Sequence, residues 1–131
     1  MIEVNVGTDL VFETPNNVGV LAKISKAMTG AEVNIQAICA HTQGNKGRFM
    51  LTTDDNSKAL EALKKIGIEA KEREVVLMEL ENEVGSLSEV SKMLADADIN
   101  LDSIYASAGE SYSSLIVFSC DDNAKAVATL G

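Results

Sequence analysis

The chain has no tryptophan, one proline, one histidine and two cysteines, and aromatic residues fill 4% of its 131 positions. Each scarcity excludes something. So few aromatics leave an aliphatic core and few flat faces on which nucleic-acid bases could stack. A single proline argues against long disordered linkers. His41 is the lone histidine and no CxxC spacing occurs, which leaves no Cys/His set for zinc. Cys39 and Cys120 each sit in an apolar run, Ile38-Cys39-Ala40 and Phe118-Ser119-Cys120, where buried reduced thiols are the expectation. Basic residues are also in deficit: 11 Lys and Arg against 20 Asp and Glu give a formal net charge of -9. That balance opposes phosphate backbones and anionic membranes, so neither nucleic acid nor membrane is an expected partner. As on most acidic proteins, the charge is read first as a solubility feature. The start, Met1-Ile2-Glu3-Val4, has no basic n-region and no long apolar run. No signal peptide or transmembrane helix is expected, and the predicted location is the cytoplasm.

What is present is a repeat. Shifted by 66 positions, Val18-Gly19-Val20-Leu21 falls on Val84-Gly85-Ser86-Leu87, Ser25-Lys26 on Ser91-Lys92, Asn34 on Asn100 and Ile38 on Ile104. Asp54-Asp55-Asn56-Ser57-Lys58-Ala59 returns as Asp121-Asp122-Asn123-Ala124-Lys125-Ala126, one residue later. A register held this long marks a duplicated unit, near the lower size limit for a core of its own.

Local patterns order each copy. Leu10 to Thr14 is short and rich in β-branched and aromatic residues, then stops at Pro15-Asn16-Asn17: a strand and a turn. Val18, Leu21, Ile24, Met28 and Ala31 recur three or four apart as one apolar helical stripe, with Asn16 or Asn17 as its cap and Gly30 as its stop. Val33 to Ile38 alternates as a strand does, Gln43 to Gly47 reads as a hairpin loop, and Arg48 to Thr53 as the returning strand. Asp54 to Ser57 caps a second helix that Gly67 ends, and Ile68 opens another extended stretch. The second copy follows suit: strand Val76–Leu80, stripe Val84, Leu87, Val90, Leu94 and Ala97, hairpin strands Ile99 to Ala106 and Leu115 to Ser119 joined through Gly109-Glu110-Ser111, and a helix from Ala124 to Leu130. The expected class is α+β: two ferredoxin-like βαββαβ units with antiparallel sheets and helices on one face, at residues 7–73 and 74–131. The second copy ends where its last strand should start, while Ile2-Glu3-Val4 matches Ile68-Glu69-Ala70. Strand 1–6 either completes the second unit's sheet or folds back on strand 10–14 through Gly7-Thr8.

No catalytic set is visible. His41 meets Ser107 in the repeat, Ser25 and Ser91 lie inside helices with no base nearby in sequence, and neither GxxxxGK[ST] nor GxGxxG occurs. Glu72-Arg73-Glu74 reads as an exposed charge run. The positions suited to a ligand are the turns Asn16-Asn17-Val18-Gly19 and Asn82-Glu83-Val84-Gly85. There a helix N-terminus offers unpaired N–H groups to an anion and glycine permits close approach. The plainer reading is a capping Asn and a packing Gly. Asn34 and Asn100, each between aliphatic residues, orient a ligand's polar end or satisfy local backbone.

The segments Asn16-Asn17-Val18-Gly19-Val20-Leu21…Val33-Asn34-Ile35 and Asn82-Glu83-Val84-Gly85-Ser86-Leu87…Ile99-Asn100-Leu101 resemble the ACT-domain signature, roughly D-x-P-G-x-L, a helix, then G-I-N-I. Nearly the whole chain resembles small stand-alone tandem-ACT regulatory proteins. The resemblance implies a non-enzymatic module without a cofactor that binds a metabolite, first of all an amino acid, at an ACT–ACT interface. It implicates Asn16, Asn17, Val18, Gly19, Val20 and Leu21, Asn82, Glu83, Val84, Gly85, Ser86 and Leu87, with Asn34 and Asn100 opposite. It also implies a homodimer or larger assembly and a possible partner enzyme. The family's Asp is Asn16 and Asn82 here and its Pro is Val18 and Val84, so a ligand's ammonium would lack charge assistance. Glu83, aligned with Asn17, makes the first turn the expected tighter site. The alternative is a ligand-free module that docks onto an enzyme; a free-standing enzyme is opposed by the missing catalytic set.

Overall fold

The computed structural model describes residues 1–107 and 110–131, so Gly109 of the expected hairpin loop lies outside the described residues. Along the chain come β1 (Glu3–Pro15), α1 (Val20–Gly30), β2 (Ile35–Gln43), β3 (Lys46–Thr53), α2 (Asn56–Lys65), β4 (Lys71–Glu81), α3 (Ser86–Asp96), β5 (Leu101–Ser107), β6 (Ser113–Cys120) and α4 (Asn123–Leu130). Two compact units result, residues 9–73 and residues 1–8 with 74–131. The fold is α+β with antiparallel sheets. Where the repeat pattern calls for separate strands on either side of Gly7-Thr8 and between Ile68 and Leu80, the structure has single long ones, β1 of 13 residues and β4 of 11. No hairpin forms at Gly7-Thr8, which lies inside β1. A Cβ on Gly7 would come within 2.5 Å of Leu77 Cδ1, so glycine is what lets β1 lie this close to β4.

In the unit of residues 9–73 the strand order is β2-β3-β1. The register pairs Leu10 with Leu51 and Phe12 with Phe49, and Ile38 and Ala40 with the same two residues of β3. Period-two alternation thus puts Leu10, Phe12, Phe49 and Leu51 on one face, where Ile24 and Met28 of α1 and Ala59, Ala62 and Leu63 of α2 cover them. Full burial of each large aliphatic side chain contributes about 1.5–3 kcal/mol. The Phe12 and Phe49 rings stack at 5.1 Å. The β2–β3 loop is tighter than the Gln43–Gly47 reading: both flanks are strand, and Gly44-Asn45 turns alone with Gly44 at φ 63°. Asp55 caps α2 by accepting from the Lys58 N–H at 3.1 Å. Glu72-Arg73-Glu74 is no free charge run, because Arg73 donates to the buried carboxylate of Asp9.

The other unit has the order β1-β4-β6-β5. Its register repeats the first, with Val76 opposite Phe118, Met78 opposite Ile116, and Ile104 and Ala106 opposite the same β6 positions. Val90 and Leu94 of α3 and Ala126 and Leu130 of α4 complete the core. The β1 end of this sheet is anchored by the Ile2 N–H donating to the Glu79 carbonyl at 2.9 Å and by Val4 packing on the core. The Met1 ammonium lies 2.6 Å from a Glu81 carboxylate oxygen. Asp122 caps α4 through the Lys125 N–H, as Asp55 caps α2. Cys120 is buried but Cys39 only half so, and both are free thiols.

The helical stripes need one correction. Val18 and Val84 precede their helices and are fully exposed, and Leu21 and Leu87 are about half exposed. They keep the spacing of the stripe, but only its later members, Ile24 and Met28 or Val90 and Leu94, reach the core.

Candidate ligand-binding site

The first helix begins without a side-chain cap. Gly19 is the N-cap residue, at φ 90° and ψ 0°, and neither Asn16 nor Asn17 caps it. Backbone bonds hold the turn instead: Asn16 N–H donates to Asn45 O, Asn17 N–H to Pro15 O, and Val20 N–H makes a long 3.4 Å contact to Asn17 O. The left-handed conformation at Gly19 is what swings the chain from strand into helix, and it is the conformation a Cβ resists. The second turn is built the same way. Gly85 has φ 92°, Asn82 N–H donates to Tyr112 O, Glu83 N–H to Glu81 O and Ser86 N–H to Glu83 O. Asn82 is further engaged through its side chain, which donates to Ser111 O. The expectation of Asn caps therefore fails because a left-handed glycine occupies the cap position.

With no side-chain cap, the N–H groups of Leu21 and Ala22, and of Leu87 and Ser88, meet no acceptor among the described residues. The two ends differ in charge. The first turn of α1 holds no acidic residue, whereas α3 has Glu89 there and Glu83 just before it. An anion is thus better matched to α1, where the dipole acts unopposed.

A cavity of about 270 Å³ lies against the α1 turn. It gathers Asn16, Asn17, Gly19, Val20 and Leu21 from the expected set, while the tip residue Val18 points away into solvent. It adds Thr14 and Pro15 from β1, Ala40, His41 and Thr42 from β2, and Gly47 and Phe49 from β3. Sequence reading missed these. The signal that could have found them is register: Thr14 sits opposite Gly47, and Thr42 pairs with Gly47 from the other side. Asn34 is not in the cavity. It lies just before the far end of β2, its N–H donating to Asp54 Oδ1 and its carbonyl accepting from Asp54 N–H. Asn100 is exposed just before β5.

Thr14 is 5% exposed, and its Oγ1 is buried with no hydrogen-bond partner among the described residues. A larger groove of about 510 Å³ runs between α1 and α2, floored by Ala27, Gly30 and Ala31 and flanked by Lys58, Glu61 and Lys65. Small floor residues and flexible charged side chains offer no converging hydrogen-bond groups. The smaller cavity, with free amides and a buried hydroxyl, is the one with the features of a ligand site. Among the described residues no His, Cys, Asp and Glu side chains group into a metal set, and no helix is long and apolar enough to cross a membrane.

Comparison with known proteins places this geometry. The family model for the ACT domain matches residues 75–130. A protein of known structure from Bacteroides thetaiotaomicron superposes with a TM-score of 0.87 at 21% identity, over 97% of this chain and 88% of that one. The ligand-free regulatory subunit of aspartate kinase from Thermus thermophilus gives 0.65 at 14% identity, over 97% and 93%. The corresponding subunit from Thermus flavus gives 0.62 at 18%, over 97% and 94%. No curated protein sequence is similar enough to count as a match. At these identities the structural likeness speaks for the fold, and the family match speaks for the second half of the chain. Residues 75–130 thus match the ACT-domain model, and residues 9–73 repeat the same strand and helix order.

Proposed function

We propose that this chain is a non-enzymatic regulatory module of two ACT units, residues 9–73 and residues 74–131 closed by strand 1–8, and that it binds a small metabolite, an amino acid first among the candidates. The observation that carries the reading is the α1 turn: an uncapped helix N-terminus without acidic residues, set over a cavity of amino-acid size. A carboxylate fits there against the Leu21 and Ala22 amides without a basic side chain. The second turn, with Glu83 and Glu89 beside it, binds more weakly. The wholly exposed Val18 and the exposed Leu21 leave apolar surface beside the cavity, which supports an ACT unit of a second copy covering the ligand. The signal then passes through a homodimer or to a partner enzyme; the two Thermus proteins of similar fold are regulatory subunits of an enzyme, aspartate kinase. Thermal unfolding with each proteinogenic amino acid in turn tests this, because a ligand that binds only the native state raises its midpoint. No shift with any of them, together with retention on an immobilised enzyme, would favour the ligand-free docking module instead.

A further inference from the structure

The hydroxyl of Thr14 makes no hydrogen bond among the described residues. Thr14 is the last inward-facing residue of β1, following Leu10 and Phe12 on the face covered by the helices. Its Oγ1 is shielded from solvent and unbonded. A buried hydroxyl without a partner costs free energy, so retaining one needs a reason. The residue across the strand pair is Gly47, and a Cβ placed there would come 3.1 Å from Thr14 Oγ1 and 3.3 Å from Phe49 Cε1. Gly47 does not carry the positive φ that requires glycine, unlike Gly19 or Gly44. What its missing side chain provides is space beside the hydroxyl, on the wall of the cavity under α1. The second unit lacks both features: Leu80 stands at the Thr14 position, paired with Ser114 where the first has Gly47.

We infer, building on the proposed ligand reading, that Thr14 Oγ1 is a specificity contact of the residue 9–73 unit: it hydrogen-bonds the amine or hydroxyl next to the carboxylate of a small α-amino or α-hydroxy acid. The carboxylate lies on the Leu21 and Ala22 amides, and the substituent reaches Thr14 through the gap at Gly47. No Asp or Glu lines the cavity, so this substituent meets a neutral oxygen. A hydroxyl serves there as well as an ammonium, because Thr Oγ1 both donates and accepts. Recognition by a neutral group replaces the acidic residue that Asn16 has displaced.

The test uses the full chain and titration calorimetry with the proteinogenic amino acids, their α-hydroxy counterparts and the matching acids with hydrogen at that carbon. Thr14→Val keeps the branched shape and removes the hydroxyl. The expected result is one tight site per chain, affinity for the amino or hydroxy acid falling roughly tenfold in Thr14→Val, and affinity for the unsubstituted acid unchanged. Gly47→Ala, which narrows the gap, weakens the substituted acids more than the unsubstituted one. The unliganded Thr14→Val protein melts no lower than wild type, since no bond is lost. If wild type binds some of these acids and Thr14→Val binds them equally well, the Thr14 contact is wrong while the ligand reading stands. An equal loss for substituted and unsubstituted acids, with a lowered melting temperature, makes Thr14 structural and also overturns the contact. If wild type binds none of them, the ligand reading fails and this site with it.

Discussion

Arg73 grips Asp9 with two nitrogens, Nη2 at 2.7 Å and Nε at 3.1 Å, and the Asp9 side chain is wholly buried while Arg73 is partly exposed. The same Nη2 also reaches Met50 Sδ at 3.3 Å. Paired, the charge is tolerated; unpaired, it is not. Arg73→Ala should therefore cost about 3–5 kcal/mol, the penalty of stranding a buried carboxylate. Combining it with Asp9→Asn should recover part of that loss. Urea unfolding of the singles and the double checks both, and additive losses would show that the pair is not coupled.

Leu21 and Leu87 separate stability from binding. Both are about half exposed in first helical turns, so replacing them removes little core. A carboxylate at Leu21→Asp sits at the positive end of α1 and should stabilise the helix by about 0.3–1 kcal/mol. The same charge repels an anionic ligand. The expected outcome is a melting temperature that holds or rises with a binding affinity that drops well beyond tenfold. Leu87→Asp should weaken binding far less than Leu21→Asp.

Gly19 and Gly85 test the backbone. Open space surrounds both, but their φ angles of 90° and 92° penalise any side chain. Gly19→Ala and Gly85→Ala should each cost about 1–3 kcal/mol in thermal or chemical unfolding, by strain alone. Larger substitutions at Gly19 confuse strain with occlusion of the ligand, so the site is better probed at Leu21.

Glu81 makes the anchoring of β1 sensitive to acid. A hydrogen bond from the N-terminal ammonium, then one from its own backbone, holds its carboxyl below the ordinary 4.5. A group depressed in the folded state contributes stability that is present above its ordinary value and lost as pH falls through the lowered one. Hydrogen exchange at Ile2, whose N–H donates to Glu79 O, should quicken as pH falls below 4.5 and towards the depressed value, after correction for the intrinsic rate. In Glu81→Gln that extra dependence should vanish.

Much of the fold was legible because its signals are local or repeated. Period two in Val33–Ile38, the Asp-Asp-Asn caps at 54–56 and 121–123, and the 66-residue register each report a neighbourhood that the sequence itself contains. The turns at Asn16–Gly19 and Asn82–Gly85 were found for the same reason. What escaped depends on strand pairing. Thr14 is far in sequence from His41 and Gly47 and meets them only through the β1–β3 and β2–β3 registers. Asn34 drew attention by matching Asn100, yet its backbone is tied to Asp54. Val18 and Val84 mimicked a core stripe because spacing reports a helical face but not where the helix begins. Arg73 read as part of an exposed charge run, since nothing in its flanks announces that the chain there returns to Asp9, 64 positions earlier.

The division of β1 at Thr8 and Asp9 has a temporal consequence. During synthesis residues 1–8 emerge well before the unit that they close. Residues 9–73 can assemble as soon as they are available, whereas residues 1–8 must wait for a partner strand about half the chain later. Until then the nascent segment is an open edge, and its charge at Glu3 keeps it from recruiting a neighbour too early. For the same reason a cut of the message at the repeat boundary yields no finished half: residues 74–131 would be left without the strand translated long before them.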